Sequence, residues 1–278
     1  MNAESSNAPL ASFEAKWADA HPEFGLALTF LREPARTEQS AFGCLLFELE
    51  HAAFGIREMQ PAAIKLQWWA EEFARAANGE ARHPLTRVLA ERIARASIPL
   101  ACWQEVVMAA LNQRDPEPAP DLRALIENYA RFYSPLAEIE TALFADSDPA
   151  ATSRAFALAR AVRETTVLPD ALRDGRLPLP LDLLARHRLA RGDLAGKSPE
   201  AAAALRDWLK ALGAEFGDLA RKAPRLSVVS AATLASARSR ARRAARAPEP
   251  LAALAEAQRR PSIGTVWSAW RAARRSRG

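Results

Sequence analysis

Two carboxylates in the middle of the chain have a spacing that suggests a metal site. Asp170 and Asp174 stand four residues apart in the segment "VLPDALRDGRLPLPLDLL" (167–184). Residues four apart share one face of a helix, and two carboxylates on one face can hold Mg²⁺ over a bound phosphate. A glycine and several prolines follow at once, so the same residues also fit a helix that simply ends there. The elements around this segment must decide between the two interpretations.

The composition predicts an all-α protein. Apolar residues make up 49% of the chain and charged residues 26%, close to the average for globular proteins. Alanine, leucine and arginine dominate, and all three favour helices. Valine, isoleucine, threonine and tyrosine, which favour strands, are sparse. The 278 residues suit one large domain or at most two. We expect a flexible N-terminal segment over 1–20 and a single helical domain over 21–278.

The charge is distributed unevenly along the chain. Residues 221–278 carry a net charge of +12, which leaves −7 for residues 1–220. A basic end can attract phosphate, nucleic acid or anionic lipid, although a solvated helical surface would have the same composition. Cys44 and Cys102 have no CxxC partners, which argues against a disulfide framework and a zinc site. With no secretory leader and no long apolar stretch, we expect a cytoplasmic protein, with peripheral membrane contact left open.

Several stretches predict the helices that would position a site. "EQSAFGCLLFELEHAAFGI" (38–56) is apolar almost all round, so it should lie deep in the core. "MQPAAIKLQWWAEEFARAANG" (59–79) ends at Gly79, and Ile64, Trp68 and Phe73 suggest its buried stripe. Residues 148–168 predict another buried helix. Glycine-rich phosphate loops and the HExxH motif are absent from the sequence, which excludes their enzyme classes.

Two longer segments carry a family resemblance. "AIKLQWWAEEF" (63–73) resembles the basic-Leu-x-Trp-Trp segment of the squalene/phytoene synthase family, and "GRLPLPLDLLARHRL" (175–189) resembles its "GRxYLPLDLLARHGL" stretch. The resemblance extends over about 25–275. It implies an all-α isoprenoid-synthase-type helical bundle around a central cavity. Active members of that family join two prenyl diphosphates head to head, and carboxylates on two facing helices hold the Mg²⁺ ions that neutralise the leaving diphosphate.

The first aspartate-rich motif of that family aligns with "ELEHAAFG" (48–55) when the Lys65 and Trp69 positions are matched. Glu50 then takes the first acidic position. The second acidic position falls on His51 and the third on Phe54. The resemblance therefore leaves one carboxylate of three in this motif.

The second motif aligns by counting back from the glycine and arginine at 175–176. Its asparagine becomes Arg163, its Arg-Asp pair becomes Thr166–Val167, and Asp170 keeps an acidic position. Asp174 falls where active members carry a basic residue. The resemblance implies six candidate residues facing a cavity or diphosphate: Glu50, His51, Arg163, Asp170, Arg173 and Asp174. Glu50 and Asp170 are the candidate metal ligands, with Mg²⁺ required only if the chain is active.

Three functions remain open from the sequence. The first is a catalytically impaired family member that acts as an isoprenoid-binding or assembly-type factor, since relatives with eroded aspartates include an assembly factor of respiratory complex I. The second is an active Mg²⁺-dependent prenyltransferase of carotenoid, squalene or hopanoid synthesis. The third is a basic helical protein that binds a membrane or another anionic partner. The partners to be expected are a prenyl diphosphate or isoprenoid lipid, or a membrane or protein bound by the basic C-terminal region. Nucleic acid is not expected, because the sequence contains no recognition motif for it.

Structural roles can also explain the same residues. Glu50 on an apolar helix predicts a buried carboxylate paired with Arg163 across the bundle. The segment "PLPLDLL" suits the start of a helix. The C-terminal segment "TVWSAWRAARRSRG" (265–278) suits either a membrane interface or a terminal helix that docks on the bundle by its tryptophans.

Overall fold

The computed structural model describes residues 3–114, 117–144, 147–195, 198–222, 224–259 and 261–275. Fourteen α-helices form this part of the chain, and it contains no strand, which confirms the predicted all-α class. They are α1 (Ala3–Ala20), α2 (Pro22–Leu28), α3 (Ala35–Glu50), α4 (Met59–Ala77), α5 (Pro84–Ala96), α6 (Leu100–Asn112), α7 (Leu122–Phe144), α8 (Pro149–Thr166), α9 (Leu168–Arg173), α10 (Leu181–His187), α11 (Pro199–Arg221), α12 (Val228–Ala244), α13 (Pro250–Gln258) and α14 (Ile263–Arg275). A π-helical turn (His51–Gly55) and a 3₁₀ turn (Arg191–Ala195) complete the set.

Local sequence sets where the helices begin and end. Asp148 caps α8 by accepting a hydrogen bond from the Ala151 N–H at 3.0 Å, and a serine caps α11 in the same way. A proline follows each cap at the first helical position, where the missing N–H costs nothing. Gly79 follows α4 with a φ of +78°, a conformation that glycine adopts without strain.

The middle of the bundle is built on α3, α7, α8 and α12. In α3 every residue from Gln39 to Glu50 is buried, which confirms that this apolar helix lies deep in the core. α8 packs along α7 on one side and α12 on another, and it too is buried over most of its length. The packing of α8 between α7 and α12, and the burial of α3, hold the C-terminal ends of α3 and α8 in fixed positions.

The buried face of α4 differs from the predicted stripe. Leu66, Trp69 and Phe73 are buried, whereas Ile64 is 60% exposed and Trp68 is 41% exposed. Residues 66, 69 and 73 lie on one helical face, and that face meets α6, where Phe73 stacks on the buried indole of Trp103 at 4.6 Å between ring centroids. Packing against α6 therefore rotates the stripe away from Ile64 and Trp68.

The N-terminal segment 1–20, which the sequence predicts to be flexible, includes a helix in its described part. Residues 3–20 form α1, and its Leu10 and Trp17 are buried against the bundle. The indole of Trp17 donates a hydrogen bond to Glu48 at 3.1 Å. The burial of Leu10 and Trp17, together with the contact of Trp17 with Phe47 of α3, holds a helix whose own amphipathic pattern is weak.

The proline-rich segment starts α10, as the sequence indicated. The backbone N–H groups of Leu181 and Asp182 donate to the carbonyls of Ala119 and Pro120 at 2.9 and 3.0 Å. The Asp182 carboxylate pairs with Arg186 one turn further on, at the surface. This segment therefore ties the loop before α7 to the loop before α10. Of the described helices, none has the length and apolar character needed to cross a membrane.

Candidate functional site

A cavity of about 220 Å³ lies where the C-terminal ends of α3 and α8 face each other. Its walls also come from α1, the π-helical turn and α13. It is lined by Trp17, Ala20, His21, Phe47, Glu50, His51, Gly55, Arg160, Arg163, Val167 and Gln258. Charged groups from α3 and α8 thus meet in a cavity that is partly open to solvent.

Glu50 is held inside this cavity by two donors. The Arg163 Nη2 donates to Glu50 Oε1 at 2.7 Å, and the Tyr133 hydroxyl from α7 donates to the same oxygen. Burial lowers the pKa of Arg163, but the neighbouring Glu50, Tyr133 and Glu23 together outweigh it, so the net pKa is raised and the guanidinium stays charged. Burial and the charge of Glu50 raise the pKa of Tyr133 well above its usual range, which keeps its hydroxyl protonated as a donor. The predicted pair of Glu50 with Arg163 is confirmed.

The second buried carboxylate near the cavity belongs to Glu164 of α8, and it is paired with two arginines. Glu164 lies within ion-pair distance of Arg160 on the same helix, and Arg176 Nη1 approaches it at 3.2 Å. Burial raises the pKa of Glu164, but the two guanidinium groups outweigh it and lower that pKa. Arg160 also lies over the ring of Phe54 at 4.0 Å from the centroid. The positive charge of Arg160 is thus already neutralised where it borders the cavity.

His51 borders the cavity in the π-helical turn that follows α3. Burial, with Lys65 and Lys16 nearby, lowers its pKa, so the imidazole is neutral at neutral pH. A Cβ on Gly55 would overlap the ring of His51, which explains why the turn has a glycine at this position. Such π-helical turns are often found at functional sites. Here the turn directs His51, rather than a carboxylate, to the cavity wall.

Three of the six candidate residues line the cavity, namely Glu50, His51 and Arg163. The other three lie outside its walls, contrary to the expectation that they face it. Arg173 pairs with Asp170 on the outer face of α9, and Asp174 pairs with Arg57 at 3.2 Å. The reason is that α9 buries its opposite face, with Leu168 and Ala171. Asp170 and Asp174 therefore face away from the cavity and do not form a metal pair.

The sequence analysis missed several residues of the site. Arg160 and Glu164 carry a readable signal, because opposite charges four residues apart pair on a helix. Tyr133, Trp17 and Gln258 come from helices far away in the sequence, and nothing in their local sequence connects them to Glu50.

Comparison with known proteins identifies the family. The family model described as squalene/phytoene synthase matches residues 18–271. The chain belongs to the squalene/phytoene synthase family. No curated protein is similar to it in sequence.

Solved structures of this family share the fold. The squalene synthase HpnC from Alicyclobacillus acidocaldarius superposes with a TM-score of 0.65 at 15% identity, covering 92% of this chain and 95% of that one. A dehydrosqualene synthase in complex with ligand superposes with a TM-score of 0.67 at 13% identity, covering 87% and 86%. At this level of identity the likeness concerns the fold alone, and it confirms the isoprenoid-synthase-type bundle.

The residues at the motif positions of this family member do not fit a Mg²⁺ cluster. Mg²⁺ requires several oxygen ligands in a near-octahedral arrangement. Within the described ranges, no group of three or more aspartate, glutamate, histidine or cysteine side chains is placed to bind a metal. Glu50 is paired with Arg163, which stands at the asparagine position of the second motif, and Asp170 lies on the outer surface. A cation beside Glu50 would compete with a guanidinium.

Proposed function

We propose that this chain is a non-catalytic member of the squalene/phytoene synthase family, which acts as an isoprenoid-binding or assembly-type factor. The proposal depends on one observation: Arg163 of the second motif pairs with Glu50, the only carboxylate that the first motif keeps. Both groups are buried, and Tyr133 shares the same carboxylate oxygen. Ionisation of a prenyl diphosphate requires carboxylates that are free to hold Mg²⁺, and this pair leaves none free at the cavity.

The size of the cavity supports the same proposal. Its volume of about 220 Å³ is below the roughly 300–1,000 Å³ of typical small-molecule sites. A head-to-head condensation must hold two prenyl chains at once. The neutral His51 and the apolar side chains of this cavity can instead contact a single small isoprenoid group.

The direct test is an assay for diphosphate release. The purified protein is incubated with farnesyl or geranylgeranyl diphosphate and Mg²⁺, and released diphosphate and chain products are measured. We expect no turnover above that of heat-treated protein. Turnover that Glu50→Gln abolishes would refute the proposal, provided that the matched surface variant Asp170→Asn retains it.

A binding measurement separates ligand binding from catalysis. The shift in thermal unfolding is measured with a non-hydrolysable farnesyl diphosphate analogue, with and without Mg²⁺. At a concentration 100 times its Kd, a ligand adds about 2.7 kcal/mol to the stability. We expect any shift to be independent of Mg²⁺, because Arg163 occupies the carboxylate. A shift that requires Mg²⁺ would instead indicate an intact metal site.

A further inference from the structure

A second cavity, larger than the one at Glu50, lies outside the central site. A groove of about 840 Å³ runs between α12, α14 and the region after α11. It forms because α14 packs closely along α12 through small residues, Thr265, Ala269, Ala272 and Ala273. Docking by the tryptophans was one of the two interpretations that the sequence left open, but Trp267 is 56% exposed. The larger side chains of α14 therefore stand at the groove instead of filling it.

One part of the groove is apolar. Leu226, Ala231, Leu234 and Ala235 contribute aliphatic surface from α12 and the segment before it. Trp267 lines the groove and stacks on Trp270 at 4.7 Å between ring centroids, which fixes its indole beside the opening. A contiguous apolar surface at an opening of this size is typical of a site that receives a ligand.

The rest of the groove is strongly basic. Six arginines line it: Arg238, Arg242, Arg243, Arg246, Arg271 and Arg275. No aspartate or glutamate is among its described lining residues. Of the six, only Arg243 has an ion-pair partner within the described ranges, Glu256 at 3.2 Å. The Nε of Arg238 is buried with no hydrogen-bond partner in the same part of the chain. Like charges this close repel one another, and an anionic group would relieve that repulsion.

We propose that this groove binds an anionic amphiphile, a molecule with one hydrocarbon chain and a phosphate head. The aliphatic surface and Trp267 would contact the chain, and the arginines would donate charge-assisted hydrogen bonds to the phosphate. The volume of about 840 Å³ falls within the usual range for small-molecule sites. This inference does not depend on the chemistry of the central cavity, because the two cavities share no lining residue.

Charge complementarity and shape favour this occupant over others. A second copy of the chain in a two-fold contact would bring its own arginines against these six. A nucleic acid would be held by phosphate contacts with stacking on exposed rings, whereas Leu226 and Leu234 form an aliphatic surface that such a ligand does not use. A concave groove with an apolar wall suits a hydrocarbon chain.

The test is isothermal titration calorimetry with dodecyl phosphate below its micelle concentration. We expect one-to-one binding that is at least about 100-fold tighter than that of inorganic phosphate, because burial of several CH₂ groups adds to the phosphate contacts. Dodecyl trimethylammonium, with the same chain and the opposite charge, should not bind. Absence of dodecyl phosphate binding, or binding as weak as that of inorganic phosphate, would overturn the proposal.

Matched variants assign the binding to the groove. Arg271→Ala/Arg275→Ala should weaken dodecyl phosphate binding at least about tenfold, which corresponds to about 1.4 kcal/mol. Arg87→Ala/Arg95→Ala removes the same charge from the exposed surface of α5 and should change the affinity less than about twofold. Trp267→Ala, an exposed position, should also weaken binding. Equal losses in both arginine double variants would refute the groove as the site.

A vesicle experiment distinguishes the source of the phosphate. Vesicles of equal parts phosphatidylcholine and phosphatidylglycerol are sedimented with the protein. Sedimentation without any binding of free dodecyl phosphate would identify a flat membrane surface as the partner and overturn the proposal. Binding of free dodecyl phosphate that Arg271→Ala/Arg275→Ala removes supports it, because a single amphiphile then suffices.

Discussion

The pair of Glu50 and Arg163 makes a sharp prediction about stability. Arg163→Met removes the cation but keeps much of the side-chain volume. The Glu50 carboxylate then stays buried with only the Tyr133 hydroxyl as its partner. Because an ionised group in a low-dielectric interior is costly without its counter-charge, we expect the folded state to lose considerable free energy.

The expected size follows from the burial of both groups. The side chains of Arg163 and Glu50 are 13% and 5% exposed. Removing one partner of a buried pair costs about 3–5 kcal/mol, out of a typical total of about 5–15 kcal/mol for a folded protein. The variant should therefore unfold at a much lower urea concentration.

The assay is urea unfolding, monitored by far-ultraviolet circular dichroism. The dependence of the free energy of unfolding on urea concentration is compared between the variants. Arg173→Met is the matched control, because Arg173 pairs with Asp170 at the surface, where the side chains are 72% and 53% exposed. An exposed pair contributes about 0–1 kcal/mol, so the control should unfold close to the unaltered protein. The double variant Glu50→Met/Arg163→Met should be more stable than Arg163→Met alone, since it leaves no charge without a partner.

Two results would refute this reasoning. The first is a decrease in the free energy of unfolding of Arg163→Met that is as small as the decrease in the surface control Arg173→Met. The second is strict additivity in the cycle of single and double variants, because residues in direct contact must show a coupling energy. The exchanged pair, Glu50→Arg with Arg163→Glu, should also be more stable than either single variant.

Three further predictions test other parts of the structure. Arg160 and Arg176 hold the pKa of Glu164 below its ordinary value of 4.5 despite burial, so the charged form of Glu164 stabilises the fold above that pH. This stabilisation is lost as the pH falls through the lower pKa of the folded state. In urea titrations from pH 7 to 3, the free energy of unfolding of Glu164→Gln should therefore decline less steeply than that of the unaltered protein. Burial lowers the pKa of Arg240, which has no carboxylate within ion-pair distance among the described residues. Arg240→Met should therefore raise the free energy of unfolding, measured in urea, by about 1–3 kcal/mol. A lower free energy of unfolding in this variant would contradict the prediction. A Cβ on Gly43 would overlap the ring of Phe24, so Gly43→Ala should lower the midpoint of thermal unfolding even though alanine favours helix, since overpacking costs about 1–3 kcal/mol.

Local sequence determined the helices and the family of this protein. Caps such as Asp148 and stops such as Gly79 act within a few residues, so they can be read directly from the chain. The apolar run of α3 also fixed its central position, because a helix that is apolar all round has no face to present to water. The segment "GRLPLPLDLLARHRL" (175–189) indicated the family that the match over 18–271 confirms.

Tertiary structure decided which face of each helix is used. The four-residue spacing of Asp170 and Asp174 suggested a metal pair, but α9 turns that face outward because Leu168 and Ala171 pack inward. The stripe of α4 shifted by packing on α6, and α14 docked by its small residues and left Trp267 exposed. Such outcomes depend on the partner surface, which helical spacing alone does not specify.

The candidate site shows the same division. The motif register placed Glu50 and Arg163 at facing positions, and the structure brings them into contact at 2.7 Å. The same register could not supply Tyr133, because α7 reaches the pair only through its packing along α8. The arginine groove likewise required two helices to come together before its charges became one surface. The sequence by itself determined the helices and the net charge, and only the assembled bundle decided which charges are paired and which remain free.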